Sequence, residues 1–428
     1  MGDILLLYGA LFVMLAIRYG SDINNFIVAH IGPFSIVFVF WIILFYIVGL
    51  YDLQTFREKL TLAQNIIIGV GVGVILAVVI FYLVPYFQIT PKTNLVIFAA
   101  IFIVLELGWR MFFATVTKVP QKRAMIIGGD HGAEEMEELT IKHPHLGYKI
   151  AYHVKNFDQL TPERFNQILD EFSINAVITM RQLEPDDMLF DAVYHAITRG
   201  VEVVEFSAIY EALFQKVPVS EIKHMWVLMS VSKQRRLYSA VKRPTEFLFA
   251  LVLFFILLIP MLLIGLLVML TSRGSALYLQ KRVGKNNKIF TLYKFRTMRK
   301  DAEKDGAQWA QNHDPRVTFI GRILRFTHLD ELPQIINVVS GSLSFVGPRP
   351  ERPEFVRSLE KNIPYYEVRH LIKPGITGWA QVNYRYGSSI EDTYKKLQYD
   401  MYYLKHRSFA LDMLIILRTI KMFLFNYS

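Results

Sequence analysis

Residues Gly321 to Pro350 read GRILRFTHLDELPQIINVVSGSLSFVGPRP, and the organisation of the C-terminal half of the chain follows from this stretch. Asp330 and Glu331 stand side by side directly before an apolar helical run, Leu332 to Val339. Pro333 is tolerated best in the first turn of a helix, where its missing N–H costs no hydrogen bond. We therefore expect both carboxylates at a helix N-terminus, where the helix dipole favours negative charge.

Two interpretations of this carboxylate pair follow from the residues alone. In the first interpretation Asp330 and Glu331 only suit the helix end, because acidic side chains are common in the first turns of helices. Arg325 precedes the pair, however, and Arg349 follows it in a Gly-Pro-Arg-Pro loop. A carboxylate beside a second one that holds a metal ion, with arginines around both, also suits attack on a phosphate.

The composition indicates a membrane protein with anionic partners. Of the 428 residues, 53% are hydrophobic, with 32 Phe and 22 Tyr, which is high for a soluble protein. The chain has no cysteine, which excludes disulfides, thiolate zinc sites and cysteine nucleophiles. Its net charge of +10 fits anionic lipid headgroups or diphosphate substrates. Because membrane segments are present, we expect no nucleic-acid partner.

The first 117 residues predict a bundle of four membrane helices. The apolar spans are Ile4 to Ala16, Pro33 to Tyr51, Ile66 to Tyr86 and Leu95 to Val116. Basic residues concentrate between the second and third spans and after the fourth, so the positive-inside rule predicts a cytoplasmic N-terminus and a cytoplasmic location for everything that follows. Glu106 and Arg110, one helical turn apart, are predicted to pair.

Residues 118–210 predict a soluble α/β domain with a parallel, Rossmann-like sheet. Strand patterns at Arg123 to Ile127, Ala176 to Met180 and Val201 to Phe206 alternate with helical patterns. The glycines after the first strand do not complete the G-x-G-x-x-G spacing of dinucleotide sites. Dinucleotide binding stays open, but a regulatory or structural role, including self-association into a homodimer, is favoured.

A second apolar run, Phe247 to Leu270, is long enough to cross a membrane. Basic residues flank it on both sides, and Pro260 stands in its middle, where it bends a helix. A re-entrant helix that breaks at Pro260 and returns to the same face explains both facts. A kinked full span is the alternative, because membrane helices tolerate proline.

Three motifs make the C-terminal half, from about Lys242 onward, resemble a known family. HLDELPQ (328–334), NVVSGSLSFVGPRP (337–350) and KPGITGWAQV (373–382) resemble the catalytic domain of bacterial polyprenyl-phosphate phosphoglycosyl transferases, the bacterial sugar transferases. The upstream chain resembles the large form of that family. The resemblance implies a four-helix transmembrane domain (1–117), the α/β domain (118–210), a connector (211–241) and an α+β monotopic catalytic domain (242–428) with a re-entrant helix hairpin at 244–272.

The resemblance also implies a reaction and its residues. A hexose-1-phosphate would pass from a UDP-sugar to undecaprenyl phosphate at the cytoplasmic face of the bacterial inner membrane, in contact with its lipid, as the first membrane step of exopolysaccharide, capsule or O-antigen synthesis. Asp330 would be the nucleophile and would bind Mg²⁺ together with Glu331. Arg325, Arg349 and Arg385 would hold phosphate oxygens of the substrates. Lys294 and Arg296, in the motif Lys294 to Met298, are candidates to bind either a substrate phosphate or the active-site carboxylates.

Two other classes of function stay open at the level of sequence. One is a membrane-anchored nucleotide-sugar dehydratase or epimerase, which a bound nicotinamide would support. The other is a non-catalytic scaffold of polysaccharide export, which would make Asp330 and Arg349 dispensable. The sugar itself leaves no spacing signature, so it is not predicted.

Overall fold

The computed structural model divides the chain into two compact units, Met1–Val119 and Pro120–Ser428. The residues that it describes are 2–51, 59–83, 91–116, 121–128, 131–142, 147–156, 160–180, 186–220, 236–272, 274–299, 302, 314–384 and 389–425. The finer division into four domains stays a prediction.

The described residues of the first unit form four long helices, at the places where the sequence predicts four spans. They are α1 (Gly2–Tyr19), α2 (Ile23–Val48), α3 (Lys59–Leu83) and α4 (Pro91–Val116). Helix α1 packs against α4, and α2 packs against α3. Segments 2–48, 62–82 and 93–112 are long and apolar enough to cross a membrane, as is segment 237–271 in the second unit.

The interior of this bundle is aromatic and tightly packed. The ring of Trp41 is fully buried and lies 5.0 Å from the ring of Phe98. A Cβ atom added to Gly73 on α3 would lie 1.1 Å from Nε1 of Trp41, so only glycine lets α3 approach α2 here. The predicted pairing of Arg110 with Glu106 is confirmed, and Arg110 also lies 3.0 Å from the carboxylate of Asp3.

The second unit begins with an α/β layer built on a parallel sheet. Strands β1 (Lys122–Ile127), β2 (Tyr148–Val154), β3 (Ala176–Thr179) and β4 (Glu202–Glu205) pair in the order β2-β1-β3-β4. The helices of this layer are α5 (His131–Lys142), α6 (Pro162–Glu171), α7 (Phe190–Thr198) and α8 (Phe206–Phe214). The parallel sheet confirms the alternation read from the sequence. The sequence did not predict β2, because Lys149 and His153 interrupt the apolar residues of this strand.

The rest of the second unit surrounds one long helix, α9 (Arg236–Thr271). An antiparallel hairpin follows, with β5 (Leu277–Val283) paired to β6 (Ile289–Phe295). The remaining elements are α10 (Phe319–Phe326), α11 (Gln334–Val339), β7 (Ser344–Val346), α12 (Pro353–Asn362), β8 (Gly375–Thr377), α13 (Trp379–Asn383), α14 (Ile390–His406) and α15 (Phe409–Phe425). Strands β7 and β8 pair in parallel.

Helix α9 lies along this part of the chain and contacts it with both halves. Ala250, in its first half, packs in a cluster with Ile335 of α11. Val268, near its end, packs in a cluster with Phe295 of β6. Pro260 lies inside this continuous helix. The predicted re-entrant course therefore stays a prediction.

Candidate active site

Asp330 and Glu331 lie in a short 3₁₀ turn, Leu329–Glu331, between α10 and α11. The N–H of Glu331 donates to the carbonyl of His328, and the N–H of Leu332 donates to the carbonyl of Leu329, at 3.2 and 3.3 Å. Because each bond spans three residues, the pair belongs to this turn, and α11 begins two residues later than the sequence predicted. The expectation that a helix N-terminus holds the carboxylates was therefore wrong: α11 has only six residues and starts beyond them.

Two cationic side chains converge on one oxygen of Glu331. Its Oε1 lies 2.7 Å from Nζ of Lys294 and 2.8 Å from Nη2 of Arg349. Burial opposes the ionisation of this carboxyl, but Arg349 and Lys294 outweigh it and hold the pKa of Glu331 well below its ordinary value. Glu331 is thus a fixed, ionised carboxylate, and the two cations come from strand β6 and from the loop after β7.

The neighbouring Asp330 is in a different state. Its side chain is buried, and among the residues that the structure describes it accepts no hydrogen bond. Burial raises the pKa of Asp330, although the charge of Lys294 opposes the shift. A carboxylate with a raised pKa and unengaged lone pairs is a better nucleophile than one that is tied to cations. The two adjacent acids therefore differ: Glu331 is held by two cations, whereas Asp330 accepts no hydrogen bond within the described residues.

Arg325 and Arg296 have hydrogen-bond partners outside this pair. Arg325 on α10 donates from Nε to the hydroxyl of Thr297 at 2.9 Å, and its charge also opposes the raised pKa of Asp330. Arg296 instead donates from Nη2 to the carbonyl and the hydroxyl of Ser272, at 2.6 and 2.8 Å, where α9 ends. Arg385 lies outside the described residues.

Sequence reasoning missed the residue that supports the Arg349 loop. Arg369 is buried, donates to the carbonyl of Arg349 at 3.0 Å and pairs with Asp400 at 2.8 Å. These partners are 20 and 31 residues away in the sequence, so no short spacing links them. A buried arginine that pairs with a distant buried acid is recognisable only once the burial is known.

The carboxylate oxygens suit a hard divalent cation. Lys294 and Arg349 both contact Oε1 of Glu331. Oε2 of Glu331 makes no hydrogen bond within the described part of the chain, and neither do the two carboxylate oxygens of Asp330. The described residues hold no cluster of three or more His, Asp or Glu side chains placed for a metal. Mg²⁺ is commonly held by one or two carboxylates together with substrate phosphates, so the oxygens of Asp330 and Glu331 fit this ion.

The glycines after β1 serve packing within the α/β layer. A Cβ atom added to Gly132 would lie 2.9 Å from the ring of Phe206, the first residue of α8. Gly128 has a φ of +89°, which favours glycine, and a Cβ atom there would lie 3.3 Å from Met180. The side chains of Phe206 and Met180 thus occupy the space that these glycines leave, which favours the structural interpretation of this domain.

These features define a membrane protein in which two cations hold Glu331 next to the buried carboxyl group of Asp330. A sequence profile described as Bacterial sugar transferase matches residues 237–426. The Exopolysaccharide production protein PSS of Rhizobium leguminosarum bv. phaseoli is 39% identical over 166 residues, which cover 37% of this chain and 83% of that protein. The chain belongs to the bacterial sugar transferase family.

Two longer relatives carry the names of specific transfers. The UDP-N-acetylgalactosamine-undecaprenyl-phosphate N-acetylgalactosaminephosphotransferase of Aeromonas hydrophila is 42% identical over 191 residues, which cover 45% of each chain. The UDP-glucose:undecaprenyl-phosphate glucose-1-phosphate transferase of Escherichia coli (strain K12) is 36% identical over 182 residues, which cover 42% of this chain and 39% of that protein. The matched stretch therefore spans less than half the length of these two relatives.

Proposed function

We propose that this chain transfers a sugar-1-phosphate from a UDP-sugar to undecaprenyl phosphate and releases UMP. The observation that carries the proposal is a difference between the two adjacent acids. Lys294 and Arg349 pair with Glu331, whereas Asp330 is buried, has a raised pKa and accepts no hydrogen bond within the described residues. The names of the Aeromonas and Escherichia relatives state transfers of this kind.

The first step forms a covalent bond to the protein. A carboxylate oxygen of Asp330 attacks the β-phosphorus of the UDP-sugar, and the bond from that phosphorus to the bridging oxygen breaks. UMP leaves with the bonding electrons, and the sugar phosphate stays on Asp330 as an acyl phosphate. A phosphate oxygen of undecaprenyl phosphate then attacks the same phosphorus, which restores the carboxylate and yields a lipid diphosphate sugar. Neither displacement requires a net gain or loss of protons.

The surrounding charges make attack by an anion on a diphosphate feasible. Mg²⁺, held by Asp330 and Glu331, would neutralise charge on the diphosphate. Lys294 and Arg349 keep Glu331 ionised and fixed in orientation. Within the described residues, the two terminal nitrogens of the Arg325 guanidinium make no hydrogen bond, so they are available to phosphate oxygens. We assign the same role to Arg349, and to Arg385 from the sequence motif alone.

The contacts of α9 support a re-entrant, monotopic attachment at the cytoplasmic face. Lys242, in its second turn, donates to the carbonyl of Val346, while Val268, near its end, packs with Phe295. Both ends thus touch the same catalytic part, which is not expected of a helix whose ends lie on opposite sides of a bilayer. The outward face is apolar and open: Phe255 is 65% exposed and Ile259 is 68% exposed. Basic residues flank both ends of the helix, which favours the cytoplasmic side for both.

The family and the Rhizobium relative, which is named for exopolysaccharide production, support a proposal for the pathway in which the reaction takes place. We place the transfer at the first membrane step of exopolysaccharide, capsule or O-antigen synthesis, in the bacterial inner membrane. A homodimer formed through the α/β domain stays part of the proposal. The two named relatives differ in the sugar that they transfer, so the sugar must be measured.

The test is release of UMP by the full-length protein in detergent with Mg²⁺, undecaprenyl phosphate and a panel of UDP-sugars. We expect at least one sugar to be turned over and Asp330→Asn to abolish the turnover. Glu360→Gln, which changes an exposed acid on α12, is the matched control and should leave the rate unchanged. Without the lipid acceptor, intact-protein mass spectrometry should detect a sugar-phosphate adduct that Asp330→Asn lacks. Full activity of Asp330→Asn would contradict the proposal.

A further inference from the structure

Both ends of helix α9 are hydrogen-bonded to segments that carry the two cations of Glu331. Arg349 lies three residues beyond the end of β7, and Lys294 is the penultimate residue of β6. Each of these segments contacts a different end of α9. The long apolar helix is therefore connected to the candidate active site at two separate points.

The first connection joins the start of α9 to the Arg349 loop. Nζ of Lys242 donates to the carbonyl of Val346, the last residue of β7, at 3.0 Å. The same ammonium group lies 2.9 Å from Oδ2 of Asp412. The hydroxyl of Tyr403 lies 2.7 Å from Oδ1 of Asp412 and 3.0 Å from Nζ of Lys242. This buried set fixes the point where β7 leads into Gly347, Pro348 and Arg349.

One turn further along α9, a second contact holds the other end of β7. The carboxylate of Glu246 accepts from the hydroxyl of Ser344 at 2.6 Å and from the N–H of Phe345 at 3.2 Å. The first turns of α9 thus contact every residue of this three-residue strand. A shift of this part of the helix would move the strand and the loop that follows it.

The second connection joins the end of α9 to Lys294. Arg296, two residues beyond Lys294, donates to the carbonyl and the hydroxyl of Ser272, which directly follows α9. Gly274 has a φ of +125°, and a Cβ atom there would lie 2.3 Å from Nη1 of Arg296. The chain leaving α9 therefore passes directly over this guanidinium. A displacement of this end of the helix would be transmitted to strand β6.

We propose that Lys242 and Arg296 are positioning residues that couple the seating of α9 in the bilayer to the spacing of the two cations at Glu331. When α9 is seated, both cations reach the same oxygen; when either end shifts, Glu331 loses one partner and its orientation. Contact of lipid with the exposed apolar face of α9 thereby changes the orientation of Glu331 through these two hydrogen-bonded connections. The inference rests on the proposed function, because it assigns a regulation to that site.

The experiment uses the full-length protein in lipid nanodiscs with the variants Lys242→Met and Lys242→Arg. Arg243→Met is the matched control, because it removes a charge from the same turn of α9 at an exposed side chain. The first readout is hydrogen exchange at 344–349 and 329–332, without substrate or Mg²⁺. The second is the concentration of Mg²⁺ that gives half-maximal release of UMP, together with kcat and KM for the UDP-sugar.

We expect Lys242→Met to speed exchange in both segments and to raise the half-saturating Mg²⁺ concentration by about 10- to 100-fold, the range found when partners of ligating groups are removed. Lys242→Arg, which keeps the charge and the donors, should recover most of the loss, and KM for the sugar should change less than kcat. Tyr403→Phe, a milder change in the same buried set, should act in the same direction if Lys242→Met does not fold.

Unchanged exchange in Lys242→Met, or an equal effect of Arg243→Met, would overturn the inference. If the wild-type protein releases UMP from no UDP-sugar, the proposed function fails, and the exchange data alone then decide whether α9 is coupled to the carboxylate turn. Equal exchange in nanodiscs and in detergent would also overturn the coupling to lipid.

Discussion

The ion pairs that Lys294 and Arg349 form with Glu331 lead to a quantitative prediction about the free energy of unfolding. We call these three residues the shared bridge. Removing one partner of a buried ion pair costs about 3–5 kcal/mol, because the other charge is left uncompensated. Here one cation remains after either single substitution, so the cost should be smaller. Lys294 is 16% exposed, and we expect Lys294→Met to cost about 2–3 kcal/mol. Arg349 is 37% exposed and partly screened by solvent, and we expect Arg349→Met to cost only about 1 kcal/mol.

The double variant should cost more than the sum of the two. With both cations gone, Glu331 is a buried charge without a partner, so we expect a coupling energy of about 1–2 kcal/mol. Adding Glu331→Gln to the double variant should return part of the lost stability, because no buried charge is then left. The assay is denaturant unfolding of the full-length protein in detergent, followed by tryptophan fluorescence.

Lys288→Met, which changes an exposed lysine of the β5–β6 hairpin, is the control and should stay within about 0.5 kcal/mol of the wild type. Strictly additive single and double variants would refute the shared bridge. So would a triple variant that is less stable than the double, since that result would mean that Glu331 is stabilised by groups other than these two cations.

Three further predictions concern pH, packing and metal. Because burial raises the pKa of Asp330, this carboxyl should titrate above its ordinary value of 3.8 in the metal-free protein. An NMR titration without Mg²⁺ that finds a pKa at or below 3.8 would contradict this. Gly73→Ala should lower the free energy of unfolding by about 1–3 kcal/mol, because the added methyl group collides with Trp41. Gly71→Ala is the control and should not lower it, since no atom of a neighbouring element lies within 4 Å of the added Cβ. Equal melting temperatures of the two variants would contradict the contact between α3 and Trp41. Excess EDTA should abolish release of UMP and added Mg²⁺ should restore it, and turnover that persists in EDTA would exclude the metal role.

Local patterns in the sequence predicted the elements well. The four apolar spans became α1 to α4, and the strand patterns at Arg123 to Ile127 and Ala176 to Met180 became β1 and β3. The Asp-Glu pair was recognised with its motifs. These successes have a common cause, because apolar periodicity and turn residues report burial and backbone geometry within a few neighbouring residues. Strand β2 was missed because Lys149 and His153 interrupt its apolar residues.

The sequence by itself therefore determined the membrane helices, the parallel α/β layer and the identity of the two acids. Only the tertiary structure decided that Glu331 is bound by Lys294 and Arg349, which lie 37 and 18 residues away, and that Arg296 holds the end of α9. It also placed the acids in a 3₁₀ turn instead of a helix. The physical reason is that an ion pair depends on which segments pack together and exclude water, and distant residues carry no spacing signal for that.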